Sequence, residues 1–199
     1  MNTYIIIIGN GPSSKQILDY GWDKFIYNAK RHGYITICMN KIIRFFEKNK
    51  IINMADYYVA ADSAVCANII SEIIPFLPHF KKGYIAVPVN LNKCNLTFKK
   101  HSKGSTINTK LTAHDFEQLH QNIEFLKNTS NVEIIAHNNT GYQSLLLAKN
   151  LSGNQGKIFL VGYDETYDFT HSEIITLDTA LSVKLNNNYF IPDYLREND

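Results

Sequence analysis

The residues best suited to chemistry follow apolar runs. Tyr4 to Ile8 leads straight into Gly9-Asn10-Gly11-Pro12-Ser13. Glycines let a backbone approach a ligand closely, proline fits the first turn of a helix, and the following N–H groups with Ser13 can accept an anion. A phosphate suits such a turn, although any tight strand-to-helix connection also favours glycine. The spacing is neither G-x-G-x-x-G nor G-x-x-x-x-G-K-[ST], so it carries neither a dinucleotide fingerprint nor a P-loop.

Other candidates occupy equivalent places. Asn40 and Asp62 each follow an apolar run, where a polar side chain can hydrogen-bond a base or ribose or simply cap a helix. Thr140-Gly141, after His137-Asn138-Asn139, opens a helix and can meet a second face of the same ligand or serve as a cap. Gly162-Tyr163-Asp164 closes an expected central strand, where an acid and a phenol can fix a sugar or phosphate. The chain has 7 histidines, but no H-x-x-x-H or H-E-x-x-H spacing suggests a metal site, and no G-x-S-x-G marks a hydrolase. His171 lies beyond Asp164 and Tyr167 in a polar segment that could close over a ligand, whereas His137 directly follows a strand. Both are candidate general bases because the imidazole pKa suits that task.

The elements that must position these groups alternate regularly. Strands are expected at Tyr4 to Ile8, Tyr34 to Met39, Asp56 to Ala60, Tyr84 to Val87, Val132 to Ala136 and Lys157 to Val161. Helices are expected at Trp22 to Arg31, Lys41 to Lys50, Ser63 to Ile74, Thr112 to Lys127 and Thr140 to Leu151. Residues 90–111 read as a flexible insertion holding the basic cluster Lys99, Lys100, His101 and Lys103. Residues 163–190 form a candidate lid, with a weak strand signal at Ile174 to Leu177. The rhythm predicts a single α/β domain over residues 1–199: a Rossmann-like, doubly wound, mostly parallel sheet with helices on both faces and a small C-terminal lid. Ligands of such sheets bind outside the carboxyl ends of the strands, where all these candidates fall.

Composition narrows the classes further. The 199 residues are 45% hydrophobic with a formal net charge of +2, enough for a core and too balanced for a nonspecific nucleic-acid binder. The 3 cysteines, Cys38, Cys66 and Cys94, form no C-x-x-C pair, so neither a disulfide framework nor a zinc site is expected. No secretory signal is evident at Met1 to Ile8, and no apolar run approaches the ~18–20 residues of a membrane span. A reducing cytoplasm is the expected compartment, with peripheral association at the inner face of a membrane left open.

IIIIGNGPSS at the start, CMN ending the second strand, and TG opening a helix before KIFLVGYD resemble the Campylobacter-type sialyltransferases of glycosyltransferase family 42, which carry GNGPS, CN, SG and G-I-D in that order. The similarity runs from the first strand to Asp164, and GNGPS is its distinctive string. ADYYVAAD, with the G-x-GPS start, is similar to the hydroxymethylpterin pyrophosphokinase-like group of the same superfamily.

The first resemblance implies a metal-independent, inverting transfer of a sugar, sialic acid in that family, from a CMP-linked donor to a glycan hydroxyl. No cofactor is implied beyond the donor. Gly9, Asn10, Gly11 and Ser13 would hold the nucleotide and sugar, Asn40 would contact the nucleotide, Thr140 and Gly141 would flank it, and Asp164 would stand for the Asp of G-I-D. Tyr163 or Tyr167 would hydrogen-bond the leaving phosphate, and His171 would deprotonate the acceptor. Asp62 stands where the family has an Asn, and an acid there favours a ribose or sugar hydroxyl over a phosphate. The family's lid is longer than Asp164 to His171 allows. Alternatives from other classes are a magnesium-dependent, pyrophosphokinase-like phosphoryl transferase using Asp62 and Asp164, and a catalytically inactive nucleotide-binding module. Acceptor and oligomeric state stay open.

Overall fold

A computed structural model describes residues 3–9, 11, 14, 17, 20–48, 50, 55–88, 97–102, 105–110, 112–153 and 155–163. Asn10, Ser13, Cys94, Asp164, Tyr167, His171 and the candidate lid beyond Tyr163 lie outside the described residues. In chain order the elements are β1 (Tyr4–Ile8), α1 (Trp22–Arg31), β2 (Ile35–Met39), α2 (Ile42–Lys48), β3 (Tyr57–Ala60), α3 (Ser63–Ile73), a 3-10 segment (Ile74–His79), β4 (Lys82–Ala86), β5 (Thr97–Ser102), β6 (Ser105–Lys110), α4 (Ala113–Lys127), β7 (Val132–Ile135), α5 (Thr140–Ser152) and β8 (Lys157–Val161).

The main sheet has 6 strands in the order β7-β4-β3-β2-β1-β8, all parallel, which makes this a Rossmann-like α/β fold. From β1 the chain steps always to the same side, and right-handed crossovers put α1 to α4 on one face. The return to the far side of β1 for β8 carries α5 to the other face. Side chains follow this division. Ile6 and Ile8 of β1 join a core with Trp22 and Ile26 of α1, Ile42 and Phe46 of α2, Ile69 of α3 and Ile123 of α4. Ile5 and Ile7 face the opposite core, with Ile37, Val59 and Ala148, packed by Leu145 and Leu151 of α5. Alternation with both faces apolar is the signature of a strand buried between helix layers.

Local chemistry sets the helix starts. Thr112 caps α4 by accepting from Asp115 N at 3.2 Å, while the Asp115 carboxylate accepts from Thr112 N at 2.7 Å. Asn139 caps α5 through its side chain, which accepts from Tyr142 N at 3.0 Å. Among the described residues no helix is long and apolar enough to cross a membrane.

Two expectations are corrected. Within residues 90–111, read as loop, Thr97–Ser102 and Ser105–Lys110 pair as an antiparallel hairpin separate from the main sheet, so Lys99, Lys100 and His101 lie on a strand. Its strands are mostly Thr, Ser, Asn and Lys, so the apolar alternation that identifies a half-buried strand is missing, whereas β-branched residues still favour extended backbone. α3 ends at Ile73, and Pro75 and Pro78 follow it in a 3-10 segment, where a missing N–H costs little in a short turn. Finally, β8 is an edge of the described sheet and not a central strand.

At the amino end of the sheet, buried Asp56 collects partners from separate elements. Its carboxylate accepts from Thr36 N at 2.9 Å, Thr36 Oγ1 at 3.1 Å, Lys30 Nζ of α1, and Lys81 Nζ at 3.1 Å. Burial alone would raise its pKa, but the Lys30, Thr36 and Lys81 hydrogen bonds outweigh that and hold it below the ordinary 3.8. A carboxylate with a depressed folded pKa stabilises above its unfolded value and loses that contribution as pH falls through the folded one. Asp56→Asn should therefore lower stability by about 2 kcal/mol at neutral pH, read by urea unfolding, and flatten the loss of stability below about pH 4. A variant as acid-sensitive as the wild type would show that another carboxylate carries the effect.

Candidate functional site

The described candidates meet above the carboxyl ends of β1, β2, β3 and β8, where the winding reverses. The described part of the turn after β1 is held mainly by backbone hydrogen bonds. Gly9 N donates to Val161 O at 2.7 Å and Gly11 N to Gly162 O at 2.9 Å, continuing the β1–β8 ladder beyond both strands. Ser14 N donates to Gly11 O at 3.1 Å, and Ser14 Oγ to Gly9 O at 3.3 Å. The N–H groups of Gly9, Gly11 and Ser14 are thus used within the protein, whereas Ser13, expected to receive an anion with the N–H groups that follow the turn, lies outside the described residues.

The glycines instead have a steric reason. Gly162 has φ +70, and a Cβ there would lie 2.2 Å from Ser14 Oγ and 2.7 Å from Gly9 O. A Cβ on Gly9 would lie 2.5 Å from Gly162 O. The loops after β1 and β8 touch backbone to backbone, an approach that side chains would prevent.

Asn40 ends β2 in a left-handed conformation, φ 48, which asparagine tolerates. It is fixed on several sides: its N donates to Val59 O at 3.1 Å, its O accepts from Tyr58 Oη at 3.1 Å, and its Oδ1 accepts from Thr140 Oγ1 at 3.3 Å. The buried Thr140 hydroxyl also accepts from Ala61 N at 3.0 Å, so a single side chain ties the start of α5 to the ends of β2 and β3. With Oδ1 engaged, the Asn40 amide Nδ2 has no partner among the described residues and remains a donor on the floor of the crevice.

Above Asn40 the N–H groups of Thr140 and Gly141 open α5 and have no intrahelical acceptor. The positive end of the helix dipole and these donors favour an anion. Tyr163 closes the other side, its Oη donating to Gly141 O at 3.2 Å, and burial pushes its pKa above the ordinary tyrosine range. Its proton goes to the α5 backbone, so Tyr163 positions Gly141 here and does not present its hydroxyl proton to the crevice.

At the β3 end, Asp62 precedes α3 and its carbonyl accepts from Cys66 N at 2.8 Å, the N-cap position. Ser63 N donates to His137 Nδ1 at 3.1 Å, and Asn138 N donates to Ala61 O at 2.9 Å, binding the β7–α5 connection to β3. The motif Asp56, by contrast, stands at the opposite end of β3. Among the described residues no group of three or more His, Cys, Asp or Glu could hold a metal. Burial raises the Cys66 thiol to about 12 and Cys38 still further, so neither is a nucleophile. Away from the crevice, an apolar cavity of about 500 Å³ opens between α1 and β8, lined by Phe25, Ala29, Tyr34, Phe159 and Val161 among others. It brings few polar groups together and offers no reaction chemistry.

Gly162→Ala should cost at least about 2 kcal/mol in thermal or urea unfolding, from left-handed strain plus the contact with Gly9 O. Ser14→Ala in the same chain should recover only part of the loss, because the backbone contact persists. Full recovery would place the whole cost on the serine hydroxyl. Comparison of the chain with protein-family models, with curated proteins and with solved structures finds no match.

Proposed function

We propose that this protein binds a nucleotide across the carboxyl ends of β1, β2 and β3, and that it is a metal-independent, inverting glycosyltransferase using a CMP-linked sugar donor and a glycan hydroxyl as acceptor. The observation that carries the binding part is the hydrogen-bonded meeting of Asn40, Thr140, Gly141 and Tyr163, from separate elements, where the winding reverses. Such a crevice is the general ligand site of doubly wound sheets. The donor and reaction rest on the resemblance of GNGPS, CMN, TG and VGYD.

In this reading the first N–H groups of α5 hold the phosphate, the Asn40 amide donates to the nucleotide, and Asp62 receives ribose or sugar hydroxyls. The acceptor oxygen attacks the anomeric carbon as the bond to the CMP oxygen breaks, and His171 takes the acceptor proton. Tyr167 donates to the departing phosphate and Asp164 binds the substrate. Charge developing on the leaving phosphate is met by donors already fixed in place, which lowers the barrier without reorganisation.

A thermal-shift screen against CMP, CDP, UMP, UDP, GDP, AMP and ATP, each with magnesium or EDTA, tests this. CMP or CDP should raise the melting temperature by about 5 °C or more at a hundredfold excess over Kd, with EDTA present. Asn40→Gly, which keeps the positive φ accessible and removes the amide, should weaken that binding about tenfold. Stabilisation by ATP only with magnesium would replace the reading with phosphoryl transfer. Tight binding with no donor hydrolysis would leave a binding module.

A further inference from the structure

β8 (KIFLV) is an edge of the described sheet, yet it is built like an inner strand. Phe159 pairs with Ile6 and faces the helix layer of α1, whereas Leu160 pairs with Ile7 and faces that of α5. Both stay exposed, at 43% and 48%. The α1 side is also where the apolar cavity of about 500 Å³ opens beside Phe159 and Val161. The backbone has a free side as well. Lys157 N donates to Thr3 O at 3.0 Å and Val161 O accepts from Gly9 N at 2.7 Å, so Lys157, Phe159 and Val161 bond to β1. Bonding residues alternate in a parallel ladder, which turns the N–H and C=O of Ile158 and Leu160 toward the free edge. Natural sheets cover an apolar, unpaired edge of this kind. A helix laid on one face would reach only Phe159 or only Leu160; a strand beside β8 borders both and takes the open backbone groups.

The chain itself supplies a strand. Glu173-Ile174-Ile175-Thr176-Leu177-Asp178, outside the described residues, carries a strand signal that the sheet has not absorbed, and its apolar residues alternate onto both faces, as Phe159 and Leu160 require. We infer that Ile174 to Leu177 adds to the free edge of β8 as an antiparallel strand, with Ile175 opposite Leu160 and Leu177 opposite Ile158. This register sets the exposed Lys157 opposite Asp178, an attractive cross-strand pair. Orientation follows from the connection. Tyr163 is still bonded to Gly141 at the carboxyl end of the sheet, which leaves residues 164–173, fewer than the roughly a dozen that a parallel crossover takes. An antiparallel partner starts where the chain already is. β7, the other edge, lies about 24 Å away across the sheet, so closing onto β8 costs less chain entropy. The pairing keeps Tyr167 and His171 at the carboxyl end, the side of the crevice, and holds whether or not a nucleotide binds.

The test is amide hydrogen exchange of the full chain followed by NMR. The Ile158 and Leu160 amides should exchange as slowly as that of Phe159, within about threefold. Ile175→Pro removes the N–H opposite Leu160 and should speed both at least about tenfold, while Phe159, bonded to β1, keeps its rate. A second measurement does not depend on how that variant folds. In a Cys94→Ser chain, Lys157→Cys with Asp178→Cys should form a disulfide within one molecule under mild oxidation, and Lys157→Cys with Glu173→Cys should not. Fast exchange at Ile158 and Leu160 in the wild type overturns the inference, as does protection that survives Ile175→Pro. Protection lost on dilution overturns it in favour of a second copy on the same edge, and a disulfide formed only with position 173 overturns it in favour of a parallel strand.

Discussion

The reversal of winding at β1 is the constraint from which the rest follows. Parallel strands need a crossover, and the crossover is right-handed, so the direction of each step decides which face its helix covers. Steps from β1 toward β7 place α1 to α4 on one side. The return to β8 sends α5 over the other and drops its first turn onto the ends of β2 and β3. Without that return, Thr140 would have neither Ala61 nor Asn40 to bond, and no crevice would open between the helix layers.

The closeness of β1 and β8 then accounts for the glycines. Gly9 and Gly162 meet backbone to backbone, and the ladder runs past the strand ends through Gly11. Glycine at these two positions serves chain packing, and among the described residues the N–H groups of Thr140 and Gly141 at the start of α5 have no intrahelical acceptor. Tyr163, half-buried against Gly141, belongs to the same arrangement, because its hydroxyl secures the backbone that would face a phosphate.

Polar groups divide between the ends of the sheet. At the amino end Asp56 is satisfied by Thr36, Lys30 and Lys81, a closed network of the kind that fixes strand and helix positions. At the carboxyl end the Asn40 amide and the first N–H groups of α5 have no partner among the described residues. Burying a polar group without a partner is costly, so capacity left open at one end and closed at the other separates the proposed ligand site from the network that holds the fold.

Short-range pattern made most of the elements legible. Ile5 to Ile8, Ile35 to Met39 and Lys157 to Val161 are apolar runs of strand length bounded by turns, and Trp22, Ile26 and Ala29 recur at helical spacing, so strands and helices follow from local periodicity. The hairpin of Thr97 to Lys110 was hidden because its sequence, mostly Thr, Ser, Asn and Lys, lacks the apolar alternation that marks a strand. The rule that ligands sit beyond strand carboxyl ends picked out Asn40, Asp62, Thr140, Gly141 and Tyr163. It could not assign their tasks: that Tyr163 bonds to Gly141, that Gly11 gives its N–H to Gly162, or that Ser63 gives its N–H to His137 depends on partners distant in the chain. The sequence by itself determined which segments form the strands of the main sheet and the helices around it, because backbone propensity and burial periodicity act over a few residues. Only the tertiary structure decided that β8 is an edge of the described sheet and which hydrogen bonds are used or left open, because both depend on which strands become neighbours across the sheet.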